Sequence, residues 1–187
     1  LRYVQALAHL GEAERFFRAL CLANPIGIRR LVPQATLRQA NCYYSSSDAA
    51  FEDRYQASAQ YERIRLGTVG LDGGWRVYSS GAGIAIGLIV RRFLGLNLEA
   101  DALSLDPVIP PTLDGLRVEL ELFGKPLEIT YEIGSVGYGV QAVELNGTSL
   151  GFVREPNLYR TGAARIAVTE LRSLLGDKQN IMKVAIG

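Results

Sequence analysis

Metal and redox chemistry find little material in this sequence. Its 187 residues include one histidine, two cysteines, one methionine and one tryptophan. Cys21 and Cys42 form neither a disulfide framework nor a metal-ligand spacing, and they read as buried thiols of a reducing, cytoplasmic compartment. No metal site is expected. His9, the sole histidine, falls near the end of a helical stretch, where a structural or exposed role is the expectation. Charge excess is also missing: 20 basic residues face 19 acidic ones, for a net charge of +1. That balance excludes an electrostatic drive towards nucleic acid or a membrane surface. Arg29-Arg30 and Arg91-Arg92 are pairs, not basic runs. The apolar run from Ala82 stops at Arg91, too short to span a bilayer. The chain begins at Leu1 and opens on no signal-peptide pattern, so it is expected to be the C-terminal piece of something longer.

What the chain does have is one organising stretch, Gly73-Gly74-Trp75-Arg76-Val77-Tyr78-Ser79-Ser80-Gly81-Ala82-Gly83, leading into the apolar segment Ile84–Leu94. Small and hydroxyl residues stand where a loop is predicted to become a helix. The first helical turn carries unpaired N–H groups and a partial positive charge, which attract anions. Ser79 or Ser80 can cap the helix or offer a hydroxyl to an oxyanion. Gly81 and Gly83 allow close approach to the backbone. A buried helix with a serine cap accounts for the same spacing without any ligand.

Before this stretch the sequence reads as helical. Residues 1–10 predict a helix broken by Gly11, and residues 12–22 a second one, with Phe16/Leu20 and Phe17/Cys21 four apart. Residues 26–40 have no period and read as a loop. Asn41-Cys42-Tyr43-Tyr44-Ser45-Ser46-Ser47-Asp48 is hydroxyl-rich and offers aromatic faces that suit a sugar; Ser47 or Asp48 could equally cap a helix. Residues 48–66 read as helical or irregular, and 67–74, with four glycines, as a flexible approach.

After residue 94 the period changes from about 3.6 to 2. Leu116, Val118, Leu120 and Leu122 share one strand face, and Leu127, Ile129, Tyr131 and Ile133 share another across a turn at Gly124-Lys125-Pro126. Val136–Leu145 extends this hairpin, and Asn146-Gly147 predicts a type I′ turn. A short helix is expected within 164–175 and a closing strand at 181–186. The fold class is α+β: helices over 1–98, then an antiparallel β-sandwich over 99–187.

The organising stretch resembles the Gly-Gly-Trp-x-x-Tyr-Thr-Gly-Ser-Ala-Gly segment of the inverting disaccharide and oligosaccharide phosphorylases, the cellobiose and chitobiose phosphorylase family. Asn24-Pro25-Ile26, Phe93-Leu94-Gly95-Leu96 and Leu103-Ser104-Leu105-Asp106-Pro107-Val108-Ile109-Pro110 resemble further motifs of that family, in the same order. The resemblance implies the last helices of an (α/α)6 barrel followed by a jelly-roll-like sheet. It implies phosphate binding at Ser79, Ser80 and Gly81, and substrate binding at Asn41, Tyr43, Asp48, Trp75 and Arg76. It implies no cofactor, with inorganic phosphate as co-substrate and a β-linked gluco-oligosaccharide as substrate. The family's general acid falls upstream of these residues, so no catalytic residue is expected in this chain, and activity would need the N-terminal remainder of the enzyme or a partner subunit. A second copy of the chain is a further candidate partner.

Two departures matter. Asn41 stands where the cellobiose-type enzymes have Glu in their Glu-Pro-Tyr-x4-Asp pattern, and no histidine follows Asn24-Pro25-Ile26, the surrounding residues being Gly27 and Ile28. Ser79-Ser80-Gly81 replaces Thr-Gly-Ser. Together these changes look closer to the branch acting on β-1,2-linked gluco-oligosaccharides. The competing classes are a non-catalytic carbohydrate-binding module and a structural subunit completing a partner's barrel.

Overall fold

The computed structural model describes residues 1–23, 30, 33–38, 49–74 and 79–187, with the backbone alone for 35–38, 71–74 and 79–82. It divides into two compact units: Arg18–Ile86 with Leu1, and Arg2–Phe17 with Gly87–Gly187. The unit that carries the sheets therefore also takes in the first helix and residues 87–98.

In that larger unit, α1 (Arg2–Leu10) buries Val4, Leu7 and Ala8, a one-face spacing that makes the helix amphipathic. It ends where the sequence predicts. The Gly11 N–H donates to the Ala8 carbonyl at 3.1 Å and the Glu12 N–H to Leu7 at 3.0 Å. Gly11 takes φ +77°, so this is the Schellman arrangement that favours glycine. α2 (Ala13–Ala23) follows, its residues up to Phe17 counted in this unit and the rest in the smaller one, with Phe16 buried and Phe17 stacked on Phe93 at 5.6 Å. Cys21 on this helix is half-buried, not fully buried, and desolvation pushes its thiol pKa up.

The smaller unit holds β1 (Ala35–Arg38), α3 (Arg54–Ala59), α4 (Glu62–Arg65), β2 (Leu71–Gly74) and the start of α5 (Ser79–Leu88). β1 and β2 lie where a loop and a flexible approach are predicted. α3 is capped by Asp53, whose carboxylate accepts from the Tyr55 and Gln56 N–H groups at 2.9 and 2.8 Å. The caps predicted at Ser47 and Asp48 fall outside the described residues.

α5 passes into a π-helical turn, Ile89–Phe93. Two sheets follow. The smaller is ordered β3 (Leu96–Leu98), β4 (Ala102–Leu105), β10 (Ala164–Ala167), β9 (Val153–Arg154). The larger is ordered β5 (Leu116–Leu122), β6 (Lys125–Ile133), β11 (Asn180–Ile186), β7 (Val140–Leu145), β8 (Thr148–Ser149). One core joins their facing sides: Leu103, Leu105 and Ile166 from the first, Ile129, Tyr131, Val143, Met182 and Val184 from the second. The class is thus α+β with a sandwich of two sheets.

The larger sheet is mixed rather than wholly antiparallel. β11, the strand expected at 181–186 to close the chain, pairs in parallel with β6 and antiparallel with β7, so it sits between them. The link 134–139 is no tight turn; it leaves a strand's width between β6 and β7. β11 fills that gap with Asn180, Met182, Val184 and Ile186 buried. The short helix expected within 164–175 is α6 (Val168–Leu174), and the strand β10 precedes it. Ala164 and Ile166 alternate inward before the helical period begins.

The β5–β6 loop is Phe123-Gly124, one residue earlier than predicted, with Leu122 opposite Lys125. Both loop residues have positive φ, 54° and 73°. Phe123 is an unusual occupant of that region. The Arg172 guanidinium covers its ring at 4.3 Å, which helps hold it there. Asn146-Gly147 makes the predicted two-residue turn at φ 52° and 81°.

Asn146 also ties the sheet to α6, donating through Nδ2 to the Leu174 carbonyl at 2.9 Å and to Asn180 Oδ1 at 2.8 Å. Asn180 is only 1% exposed, and its amide nitrogen donates towards the Pro126, Gly176 and Lys178 carbonyls. Its Oδ1 also accepts from the Gly176 N–H at 2.8 Å. Asn180→Ala leaves several buried groups unpaired. We expect it to lower unfolding free energy by roughly 2–4 kcal/mol in urea melts, whereas Asn146→Gly, which keeps the turn, should cost about half as much.

Candidate functional site

Two sequence clusters carry the candidate site, and both belong to the smaller unit. Asn41, Tyr43, Asp48, Trp75 and Arg76 lie outside the described residues. What the structure gives is the frame from which those clusters depart. β1 and β2 are parallel and in register, from Ala35 opposite Leu71 to Arg38 opposite Gly74. Residue 39 and residue 75 therefore follow neighbouring positions at the same end of the pair. Parallel neighbours are about 4.8 Å apart, so Arg38 and Gly74 end the pair side by side. The described chain resumes at Ala49, and the Ala50 N–H donates to the carbonyl of Gly70, the residue before β2, at 2.9 Å.

The second cluster leads into α5, whose helical backbone begins at Ser79. Ser79, Ser80 and Gly81 are its first three residues, and no acidic residue occupies that first turn. A strand, a short link and a helix start in succession is an arrangement that presents free N–H groups beyond a strand's C-terminal end. The smaller unit also has an open hollow of about 510 Å³ lined by Phe51, Asp53, Arg54, Ser58 and Tyr61, among others. Arg54 there donates to the Tyr55 hydroxyl at 2.7 Å.

The motifs in the larger unit do different work. Gly95 has φ +71°, and a Cβ there would lie 2.1 Å from the Pro107 nitrogen, so only glycine fits. The Asp106 N–H donates to the Gly95 carbonyl at 2.9 Å, and Leu96 pairs with Leu105. The buried Tyr131 hydroxyl donates to the Leu94 carbonyl at 2.7 Å, and burial pushes its pKa above the ordinary tyrosine value. Phe93-Leu94-Gly95-Leu96 and Leu103–Pro110 are thus two halves of one packed junction.

Asp106 completes that junction. Its carboxylate takes both arms of the Arg160 guanidinium, at 2.6 and 2.8 Å. The Arg160 side chain is 1% exposed and that of Asp106 12%. Arg160 Nε also donates to the Ala8 carbonyl at 3.2 Å, at the C-terminal end of α1 where a cation is favoured. Asp106 is a structural anchor. Arg160 is the residue that the sequence reading misses: one arginine in Asn157-Leu158-Tyr159-Arg160 has no local signal, and its partner is 54 positions away.

Arg165 offers a contrast. It contacts Glu99, Asp101 and Glu155, and these carboxylates hold its pKa above the usual arginine value, the Glu99 hydrogen bond first. The partners are half-exposed or exposed, so screening by water limits what these pairs contribute. Among the described residues no group of His, Cys, Asp and Glu side chains could hold a metal ion, and no helix is long and apolar enough to cross a membrane.

The profile of the glycoside phosphorylase C-terminal domain matches residues 95–183, the sandwich and its junction. The chain is 44% identical over 163 residues to a 1,2-β-oligoglucan phosphorylase of Listeria innocua. The match covers 87% of this chain and 14% of that relative, so the chain spans a small part of the relative's length.

The two ion-pair sites predict opposite outcomes. Asp106→Ala strands a buried guanidinium and should cost roughly 3–5 kcal/mol in denaturant unfolding. Glu99→Gln should cost under about 1 kcal/mol in the same measurement.

Proposed function

We infer that this chain, whose residues 95–183 belong to the glycoside phosphorylase C-terminal domain family, is the C-terminal portion of a carbohydrate phosphorylase. Its reaction is inverting phosphorolysis of a β-linked gluco-oligosaccharide, with β-1,2 linkage the assigned substrate class. The observation that carries this reading is the 44% identity over 163 residues. Any 163-residue stretch of a 187-residue chain must include residues 25–163, and hence both candidate clusters.

The chemistry fits what the chain has and lacks. An inverting glycosidase needs a general acid and a carboxylate that activates water. In phosphorolysis a phosphate oxygen attacks the anomeric carbon, the glycosidic C–O bond breaks, and the acid's proton goes to the leaving oxygen. The product is the sugar 1-phosphate with inverted configuration. The carboxylate base is then unnecessary, and an anion site takes its place. Ser79, Ser80 and Gly81 at the start of α5 supply that site, with Arg76 as a charged neighbour. Asn41, Tyr43, Asp48 and Trp75 contribute to the sugar site. The general acid and the rest of an (α/α)6 barrel come from outside this chain, in the cytoplasm. A stand-alone carbohydrate-binding module would have no use for the α5 start.

Two measurements test this. In the complete enzyme, Ser79→Ala should raise the KM for phosphate by about one decade, the worth of a charge-assisted hydrogen bond, with a much smaller change in the KM for sugar. Equal changes in both would indicate a folding role for Ser79. In reverse synthesis from glucose 1-phosphate, acceptors with β-1,2 linkage (sophorose) should outpace glucose, cellobiose and laminaribiose. Preference for glucose, giving cellobiose, would contradict the role given to Asn41, which replaces a carboxylate with a weaker, donating amide.

A further inference from the structure

We propose that β5 is a self-pairing edge through which two copies of this chain join into a dimer with a continuous sheet. β5 ends the larger sheet, and β6 is its only neighbour there among the described residues. The two-residue loop at Phe123-Gly124 sets Leu122 opposite Lys125, so Leu122, Leu120, Val118 and Leu116 exchange backbone bonds with β6. The N–H and C=O groups of Arg117, Glu119 and Glu121 then point to the free edge, where an unblocked strand can pair with another chain.

Three observations select a second copy of this chain as the partner. The first is charge. An antiparallel, two-fold pairing centred on Val118 places Arg117 of each copy opposite Glu119 of the other, and Leu116 opposite Leu120. The axis runs between two Val118 residues, and Glu121 meets Gly115, which has no side chain. Centring on Glu119 instead would set two carboxylates face to face, so charge fixes the register. The second is the local environment of Glu119. Within the protomer it stands directly opposite Glu128 on β6, a destabilising like-charge pair that an incoming Arg117 would offset. The third is the apolar face behind the edge. A cleft of about 410 Å³ opens between the edge strands β3 and β5, lined by Val90, Leu96, Leu98, Val118 and Leu120 among others. Leu98 is 54% exposed there. A copy added at β5 brings its own Val118, Leu120 and Leu98 to this opening, so the same contact pairs the edge and covers the cleft.

The test is light-scattering mass of the purified chain. The wild type should run at about 41 kDa, twice the 20.4 kDa of one chain. Arg117→Glu and Glu119→Arg should each give single chains, their dimer dissociation constants raised at least tenfold, with unchanged circular dichroism because both positions are exposed. Mixing the two variants should restore a dimer, since each strand then faces the opposite charge, and the double variant Arg117→Glu/Glu119→Arg should dimerise alone. A monomeric wild type overturns the proposal, even if β5 is then covered by another part of the phosphorylase. So does a dimer that persists in both single variants, or a failure of the mixed pair to associate.

Discussion

A guanidinium with 1% of its side chain exposed is tolerable only beside a carboxylate, and the larger unit is arranged around that requirement. Arg160 reaches Asp106 with both arms and the end of α1 with its Nε. The pair therefore joins the loop before β10, the segment after β4 and the first helix. Asp106 can stand there because the Gly95 backbone lies against Asp106-Pro107 with no room for a Cβ. One ion pair and one glycine thus fix where the helical segment ends and the sandwich begins.

This junction explains why the sequence resembles phosphorylases so plainly while revealing little of its site. The motifs around Gly95 and Asp106 mark packing, and their spacing reflects close backbone contact. The ligand-facing candidates, Asn41 to Asp48 and Trp75 to Gly81, follow a short parallel pair whose strands have weak sequence signals. Leu71-Asp72-Gly73-Gly74 has neither β-branched residues nor alternation, so its strand depends on β1 and cannot be read locally.

Elsewhere the sequence is most informative where one local rule dominates. Gly11 and Asn146-Gly147 announce their turns because left-handed backbone favours these residues, and both occur where predicted. The alternation in β5 and β6 gives the hairpin directly. It does not give sheet order. β11 alternates as any half-buried strand would, and its place between β6 and β7 follows from the wide 134–139 link and from Asn180, whose amide is satisfied only by groups on several segments. Arg160 was invisible for the same reason: long-range partners leave no local period.

The proposed function makes this chain part of an enzyme that would cleave β-linked glucans with phosphate rather than water. The most direct measurement follows the products by phosphorus and proton magnetic resonance when the complete enzyme acts on a β-1,2-gluco-oligosaccharide. Phosphorolysis gives α-glucose 1-phosphate, formed only when phosphate is present and in step with shortening of the oligosaccharide. Free glucose appearing at the same rate with and without phosphate would contradict it.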